Sequence, residues 1–198
     1  MALFWLILSI ALWGLVHSMV ASHGFKDFLR RTLGDGFMKF YRLLYNIFAV
    51  VSIAPALYLA VALPDRELYR IPAPWSYGML AGQGLSALLL LVAVLQTDVF
   101  SFIGLRQLIE GEKPARMVTG GLYRLVRHPL YTFSLLVLWM SPTVSLNSFI
   151  MYVSFTAYIL IGIFFEERKL LREFGQEYAS YKTVTPMLIP GVRFNRNK

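Results

Sequence analysis

Cysteine is absent from the 198 residues, and histidine occurs only at positions 17, 23 and 128. The first absence excludes a disulfide framework, a thiolate zinc site and a cysteine nucleophile, and the scatter of the histidines offers no metal-ligand spacing, so no metal is expected. Charge is scarce too: Asp, Glu, Lys and Arg make up 15% of the chain, against roughly 25% in soluble domains. Residues 3–20 are apolar but carry no basic flank and no small-residue cleavage site, which reads as a retained first span rather than a removable signal. No run interleaves aromatic and basic residues as a nucleic-acid groove does, so no nucleic-acid partner is expected.

What is present is apolar: 57% of residues are hydrophobic and the mean hydropathy is +0.58. One soluble core could not hide that much apolar surface. At about 20 apolar residues per span, the length leaves room for roughly four to six membrane helices. Apolar stretches recur at about 3–20, 41–63, 75–97, 129–145 and 148–165. The last two lie in one uncharged run, 129–165, which as a single helix would be roughly 55 Å long against a hydrocarbon core of about 30 Å. Ser141-Pro142-Thr143 and Asn147-Ser148 supply the turn. The expected fold is all-α and integral to a membrane, with five transmembrane helices, the fourth and fifth a tight hairpin.

Of the 19 basic residues, 17 fall in the segments after the first stretch, before the fourth and after the fifth. The positive-inside rule makes that side cytoplasmic, with the N-terminus outside and the C-terminus inside. The net charge of +8 is therefore a topology signal first and a contribution to contact with anionic lipid second. Beyond the fifth stretch, Leu170, Phe174, Tyr178 and Tyr181 recur at helical spacing among charged residues, which predicts an amphipathic cytoplasmic helix. Gly78, Gly82 and Ser86 have small-xxx-small spacing, suited to packing within the bundle or to a homodimer face. The chain reads as one domain, 1–198: helices one to three in 1–97, a loop, hairpin and C-terminal helix in 98–190, and a frayed basic tail in 191–198.

The residues best suited to chemistry are 121–131, GLYRLVRHPLY. Gly120-Gly121 lets backbone pass close to a ligand. Pro129 suits a first helical turn and holds His128 off the helical region, leaving Arg127 and His128 at the N-terminal lip of a helix. Arginine and the helix start both favour a carboxylate there. Glu166 and Glu167, closing the fifth stretch, should face this lip, and mixed charge on one rim suits a zwitterionic ligand with hydroxyls. On spacing alone these charges could equally be topology signals and interfacial residues. His17, near the cytoplasmic end of the first stretch, is either a helix–helix hydrogen-bonding group or a second candidate base.

The ordered strings G-L-Y-x-x-x-R-H-P-x-Y, E-E-x-x-L-x-x-x-F-G-x-x-Y-x-x-Y and T-P-M-L-I-P, covering about 80 residues at 111–190, resemble the isoprenylcysteine carboxyl methyltransferase and phospholipid methyltransferase superfamily. VHSMVASHGFK (16–26) and FIGLRQ (102–107) resemble its subgroup of methanethiol S-methyltransferases and NnrU-type membrane proteins. The resemblance implies an S-adenosylmethionine-dependent methyltransferase in a prokaryotic inner membrane. By position it implies cofactor contacts from Ala115, Arg116, Met117 and Val118, from Tyr123, from His128, Pro129, Leu130 and Tyr131, from Glu166 with Glu167, and more weakly from Gln107. It implies Arg127 as shaping the site or pairing with the cofactor's carboxylate, and His128 as base or cofactor contact, with His17 as the alternative base. In the prenylcysteine enzymes a substrate-contacting arginine lies one turn before the glutamates; here that position is Gly162, which disfavours a prenylcysteine acceptor. A small or lipophilic acceptor remains, a thiol preferred over an amine or carboxylate, with a non-catalytic NnrU-type role as the rival.

Overall fold

The computed structural model describes residues 1–110 and 116–192. Its elements are α1 (Ala2–Ala21), α2 (His23–Ser52), α3 (Ala54–Ala62), β1 (Glu67–Arg70), α4 (Trp75–Leu95), α5 (Val99–Ile103), α6 (Leu105–Glu110), a 3₁₀ turn (Gly121–Arg124), α7 (Pro129–Trp139), β2 (Thr143–Ser145), α8 (Leu146–Phe174) and α9 (Gln176–Val184). Four helical stretches are long and apolar enough to cross a membrane: Leu3–Ala21, His23–Ala62, Trp75–Leu95 and Leu146–Phe174. Only 6% to 17% of the residues in their most apolar windows are buried within the chain, so their side chains need lipid as a solvent.

Three sequence-based boundaries shift. The second helix begins at His23 rather than near 41, because Ser22 caps it by accepting from the Phe25 N–H at 3.3 Å; the chain breaks helical geometry once, at Gly34, before continuing to Ser52. The fourth stretch yields only the 11 residues of α7 instead of a span over 129–145. Eleven residues rise roughly 16 Å, about half a hydrocarbon core. Pro142 and the extended residues of β2 end the helix early. Helix α8 runs on to Phe174, nine residues past the expected end at 165, since nothing before Gly175 interrupts it.

Contacts divide the described chain into two compact units. One comprises 1–68, 98–110 and 145–154; the other comprises 69–97, 116–144 and 155–192.

In the first unit Leu6, Ile10 and Ala56 form the core, with Ile53, Leu59, Leu63, Ile150 and Met151 packed around them. Polar bonds fix the helix pairs: Trp13 Nε1 donates to Ser52 Oγ at 3.1 Å, and His17 Nε2 lies 2.6 Å from Tyr45 Oη. The Asn46 amide donates to the carbonyls of Phe102 and Ile103 at 2.9 and 2.8 Å, capping α5. There Gly104 adopts φ +99° against the backbone of Arg42 and Leu43, where any Cβ would overlap main chain. Asn147, almost fully buried, donates to the carbonyls of Ala60 and Leu63 at 3.2 and 3.4 Å, and its N–H reaches Asp65 Oδ1 at 3.0 Å. An open groove of about 470 Å³ beside it is lined by Leu57, Val61, Asp65, Ser145, Ser148 and Met151.

In the second unit α4 packs along α7. Gly82 leaves the space that Met140 fills, Gln83 Nε2 donates to the Val137 carbonyl at 2.7 Å, and Ser86 is buried. Gly82 and Ser86 thus serve packing within the chain, whereas Gly78 borders open space. Trp139 Nε1 donates to Thr156 Oγ1 at 3.0 Å, joining the end of α7 to α8.

Replacing Asn147 with alanine removes both donors from two carbonyls at the end of α3. Thermal unfolding in detergent micelles should show a loss of about 2 kcal/mol, the cost of leaving buried acceptors unpaired; an unchanged midpoint would refute the role given to this amide.

Candidate functional site

Pro129 opens α7, and the residue before it is held in an extended-to-bridging conformation: His128 has φ −124° and ψ 63°. The backbone at this start does not face solvent. Arg127 N–H donates to the Pro186 carbonyl at 2.8 Å, His128 N–H to Met187 at 3.2 Å, and Thr132 Oγ1 to Leu188 at 2.8 Å. The TPML portion of the C-terminal motif is therefore a strap laid along 127–132.

Arg127 and Glu167 form the centre. Both side chains are close to fully buried, and Glu167 Oε1 accepts from Arg127 Nε at 2.9 Å and Nη2 at 2.5 Å. Nη1 donates to the carbonyls of Thr185 at 2.5 Å and Lys182 at 3.3 Å, while Lys182 Nζ reaches Glu167 Oε2 at 2.6 Å. A guanidinium engaged on this many sides has little left for a ligand. Of the two roles expected of Arg127, shaping the site and pairing with a cofactor carboxylate, this internal pairing with a carboxylate of α8 and two carbonyls corresponds to the first. Arg127 thus engages Oε1 of Glu167 and Lys182 its Oε2.

His128 lies between the two glutamates. Its Nδ1 is 3.7 Å from Glu166 Oε2 and its Nε2 3.5 Å from Glu167 Oε1. Neither contact is aligned as a hydrogen bond, and His128 Nε2, Glu166 Oε2 and Tyr178 Oη are buried with no hydrogen-bond partner among the described residues. Glu166 is the more open of the two glutamates, and among the described residues no lysine or arginine stands within ion-pair distance of it. Among the described residues, the ionisable side chain within this range of it is the buried imidazole of His128.

The remaining residues fall as follows. Tyr123, in the 3₁₀ turn, accepts through its carbonyl from Tyr181 Oη at 2.5 Å. Burial, and then the charge of Glu166, push its phenol up to about 12. Burial likewise pushes the Tyr181 phenol up to about 12, so both stay protonated in the physiological range. Tyr131 lies ring to ring with His128 at 5.7 Å, Pro129 is fully buried and Leu130 half-buried on the first turn of α7. Arg116, Met117 and Val118 lie in irregular chain leading to the turn, and Ala115 lies outside the described residues, as do 193–198 of the expected tail. Gly121 has φ +58°, and the space its missing Cβ leaves is taken by the Gln96 amide, whose Oε1 accepts from Leu122 N–H at 2.9 Å. Close approach at this glycine serves a side chain of the same unit instead of a ligand. Gln107 and His17 belong to the first unit. Gln107 Nε2 donates to Ser101 at 3.2 Å while its Oε1 is buried without a partner; His17 stacks on Trp13 at 5.0 Å and bonds Tyr45, the helix–helix reading of its position.

Residues 78–177, half of the chain, match the phospholipid methyltransferase family. The chain belongs to that family. Given its four long apolar helices, it is an integral membrane protein. Similar curated proteins include a methanethiol S-methyltransferase of Pseudomonas deceptionensis, 35% identical over 112 residues that cover 54% of this chain and 43% of that protein. Another, from Pseudomonas sp. (strain GM41(2012)), is 31% identical over 152 residues, covering 71% of this chain and 55% of that one. A third, from Crocosphaera subtropica, is 35% identical over 128 residues, or 59% and 50%. The chain spans about half the length of these relatives. No solved structure matches it.

Within this family member the matched segment holds Arg127, His128, Glu166 and Glu167, but the strap at 185–188 lies beyond it. Spacing did not reveal Lys182 or the carbonyls of 182 and 185–188 as parts of the site. Carbonyl acceptors carry no side-chain signature; the only sequence hint was Pro186, which fixes the strap as extended chain.

The glutamates should separate by stability. Glu167→Gln strands the Arg127 charge and should lower unfolding stability in detergent by about 3 kcal/mol, whereas Glu166→Gln should leave the unfolding midpoint nearly unchanged. Equal effects would contradict the division between a paired and an uncompensated carboxylate.

Proposed function

We propose that the protein is an S-adenosylmethionine-dependent methyltransferase acting on a small or lipophilic acceptor, a thiol of the methanethiol type first. The observation that carries this reading is the Glu166 carboxylate, which no lysine or arginine among the described residues pairs and which lies 3.7 Å from Nδ1 of the buried His128. A methyl donor of this class is cationic at sulfur and at its amino group and bears ribose hydroxyls, so it brings what that carboxylate lacks. The three curated relatives named above are called methanethiol S-methyltransferases, which supports the thiol preference.

The residues that would hold the cofactor are Glu166, Tyr123, His128 with Pro129, Leu130 and Tyr131, and the chain at Arg116, Met117 and Val118. The cofactor supplies a methyl group already activated on a sulfonium centre, so the protein needs neither metal nor covalent nucleophile. What the chain supplies is alignment and exclusion of water. Val126 and Pro129, which flank His128 in the chain, are buried with it. His128 is the group placed to take the proton of a thiol acceptor. Arg127 and Glu167 hold that imidazole in place without touching the ligand, and His17 packs α1 on α2.

The reading includes a topology of five passes with the N-terminus outside and the C-terminus in the cytoplasm of a prokaryotic inner membrane. Short α7 serves as the fourth pass, completed by the extended residues after Trp139; Ile71 N–H donates to Pro142 O at 2.8 Å, tying the turn beyond α7 to the chain ahead of α4.

Isothermal titration of the purified protein in detergent should show saturable S-adenosylmethionine binding, weakened at least about tenfold, or 1.4 kcal/mol, by Glu166→Ala. With methanethiol, headspace chromatography should detect dimethyl sulfide, and phosphatidylethanolamine should give no methylated lipid. A wild-type protein that binds no cofactor would sink the reading in favour of a non-catalytic role.

A further inference from the structure

The hydroxyl of Tyr178 is the feature that the family motif's assigned contacts do not explain. The side chain is 1% exposed, its ring packs 6.1 Å from that of Tyr181, and its Oη has no hydrogen-bond partner among the described residues. Burial, with the charge of Glu167 next, raises its phenol far above the usual range and Glu166 adds to this, while the Arg127 guanidinium, a donor towards the hydroxyl oxygen that cannot accept its proton, acts in the opposite direction. It therefore stays protonated and lies within the electrostatic reach of the same charges that surround His128. A buried phenol that keeps its proton is a donor in want of an acceptor.

The acceptors of the site narrow the choice. Both oxygens of Glu167 are engaged by Arg127 and Lys182. Glu166 Oε2 is unpartnered as well, so the two groups do not satisfy each other. A ligand that completes both must bring an acceptor to Tyr178 and a cation to Glu166, which is the chemistry of an α-amino acid. Arg127, the usual clamp for the carboxylate of such a group, is committed within the protein.

We infer that Tyr178 is a ligand-binding residue, its hydroxyl donating to the carboxylate at the amino-acid end of the methyl donor while Glu166 receives the ammonium. This rests on the cofactor reading above and refines it: the amino-acid end is gripped by a neutral phenol, with no arginine taking part. The loss of one hydrogen bond to a charged group should cost roughly tenfold in affinity.

The test is a cycle of two ligands and two proteins, by titration calorimetry in one detergent. S-adenosylmethionine and its decarboxylated form, which keeps the amine and sulfonium, are each bound to wild type and to Tyr178→Phe, a change that removes only the hydroxyl. Expected is a roughly tenfold preference of wild type for the carboxylated ligand that disappears in the variant, with the unfolding midpoint unchanged. Wild type binding both ligands equally would overturn the inference without any variant, as would a variant that keeps the preference. Wild type binding neither ligand would remove the cofactor reading itself, and this inference with it.

Discussion

The buried pair of Arg127 and Glu167 is the constraint on which the rest of the site depends. Removing two charges from water costs several kcal/mol per ion unless their remaining donors and acceptors are met. Here they are: two guanidinium nitrogens share one carboxylate oxygen, a third takes the Thr185 and Lys182 carbonyls, and Lys182 takes the second oxygen. The pair therefore joins three segments distant in sequence, the approach to α7, the charged end of α8 and the chain leaving α9. A lysine at 127 could not do this, since a point-like ammonium lacks the planar fork that reaches a carboxylate and two carbonyls together.

That arrangement explains why two adjacent glutamates have different work. Neighbours on a helix differ by about 100° around its axis, so the side chains of a doublet leave it in different directions and reach different surroundings. Glu167 turns inward and is neutralised by two cations; Glu166 turns to the mouth and is not.

Legibility in the sequence followed the physics of each signal. Hydropathy located the long apolar helices because lipid-facing residues need no specific partner, and the turn near Pro142 was readable for the same reason that it broke α7: proline cannot continue a helix. How far α7 would run was not readable, since Met140 and Ser141 are as compatible with a helix as with the turn they form. The motif brought Arg127, His128, Glu166 and Glu167 to one place but left two roles open for Arg127, because spacing can place a guanidinium and cannot say which of several acceptors reaches it. Tyr178 looked like one stripe of a continuous amphipathic helix; Gly175, at φ +54°, breaks that helix and α9 buries the ring instead.

The strap at 185–188 shows why such a site can exist at the start of an apolar helix at all. Backbone N–H groups at a helix start have no partner within the helix, and away from water each unpaired one is costly. Pro129 removes one such donor outright, and the carbonyls of Pro186 and Met187 accept from Arg127 and His128. The N–H of His128 at the helix cap and that of Arg127 before it are thereby satisfied by backbone carbonyls, without a side-chain partner. The strap thus takes a structural duty that side-chain atoms at this helix start would otherwise have met.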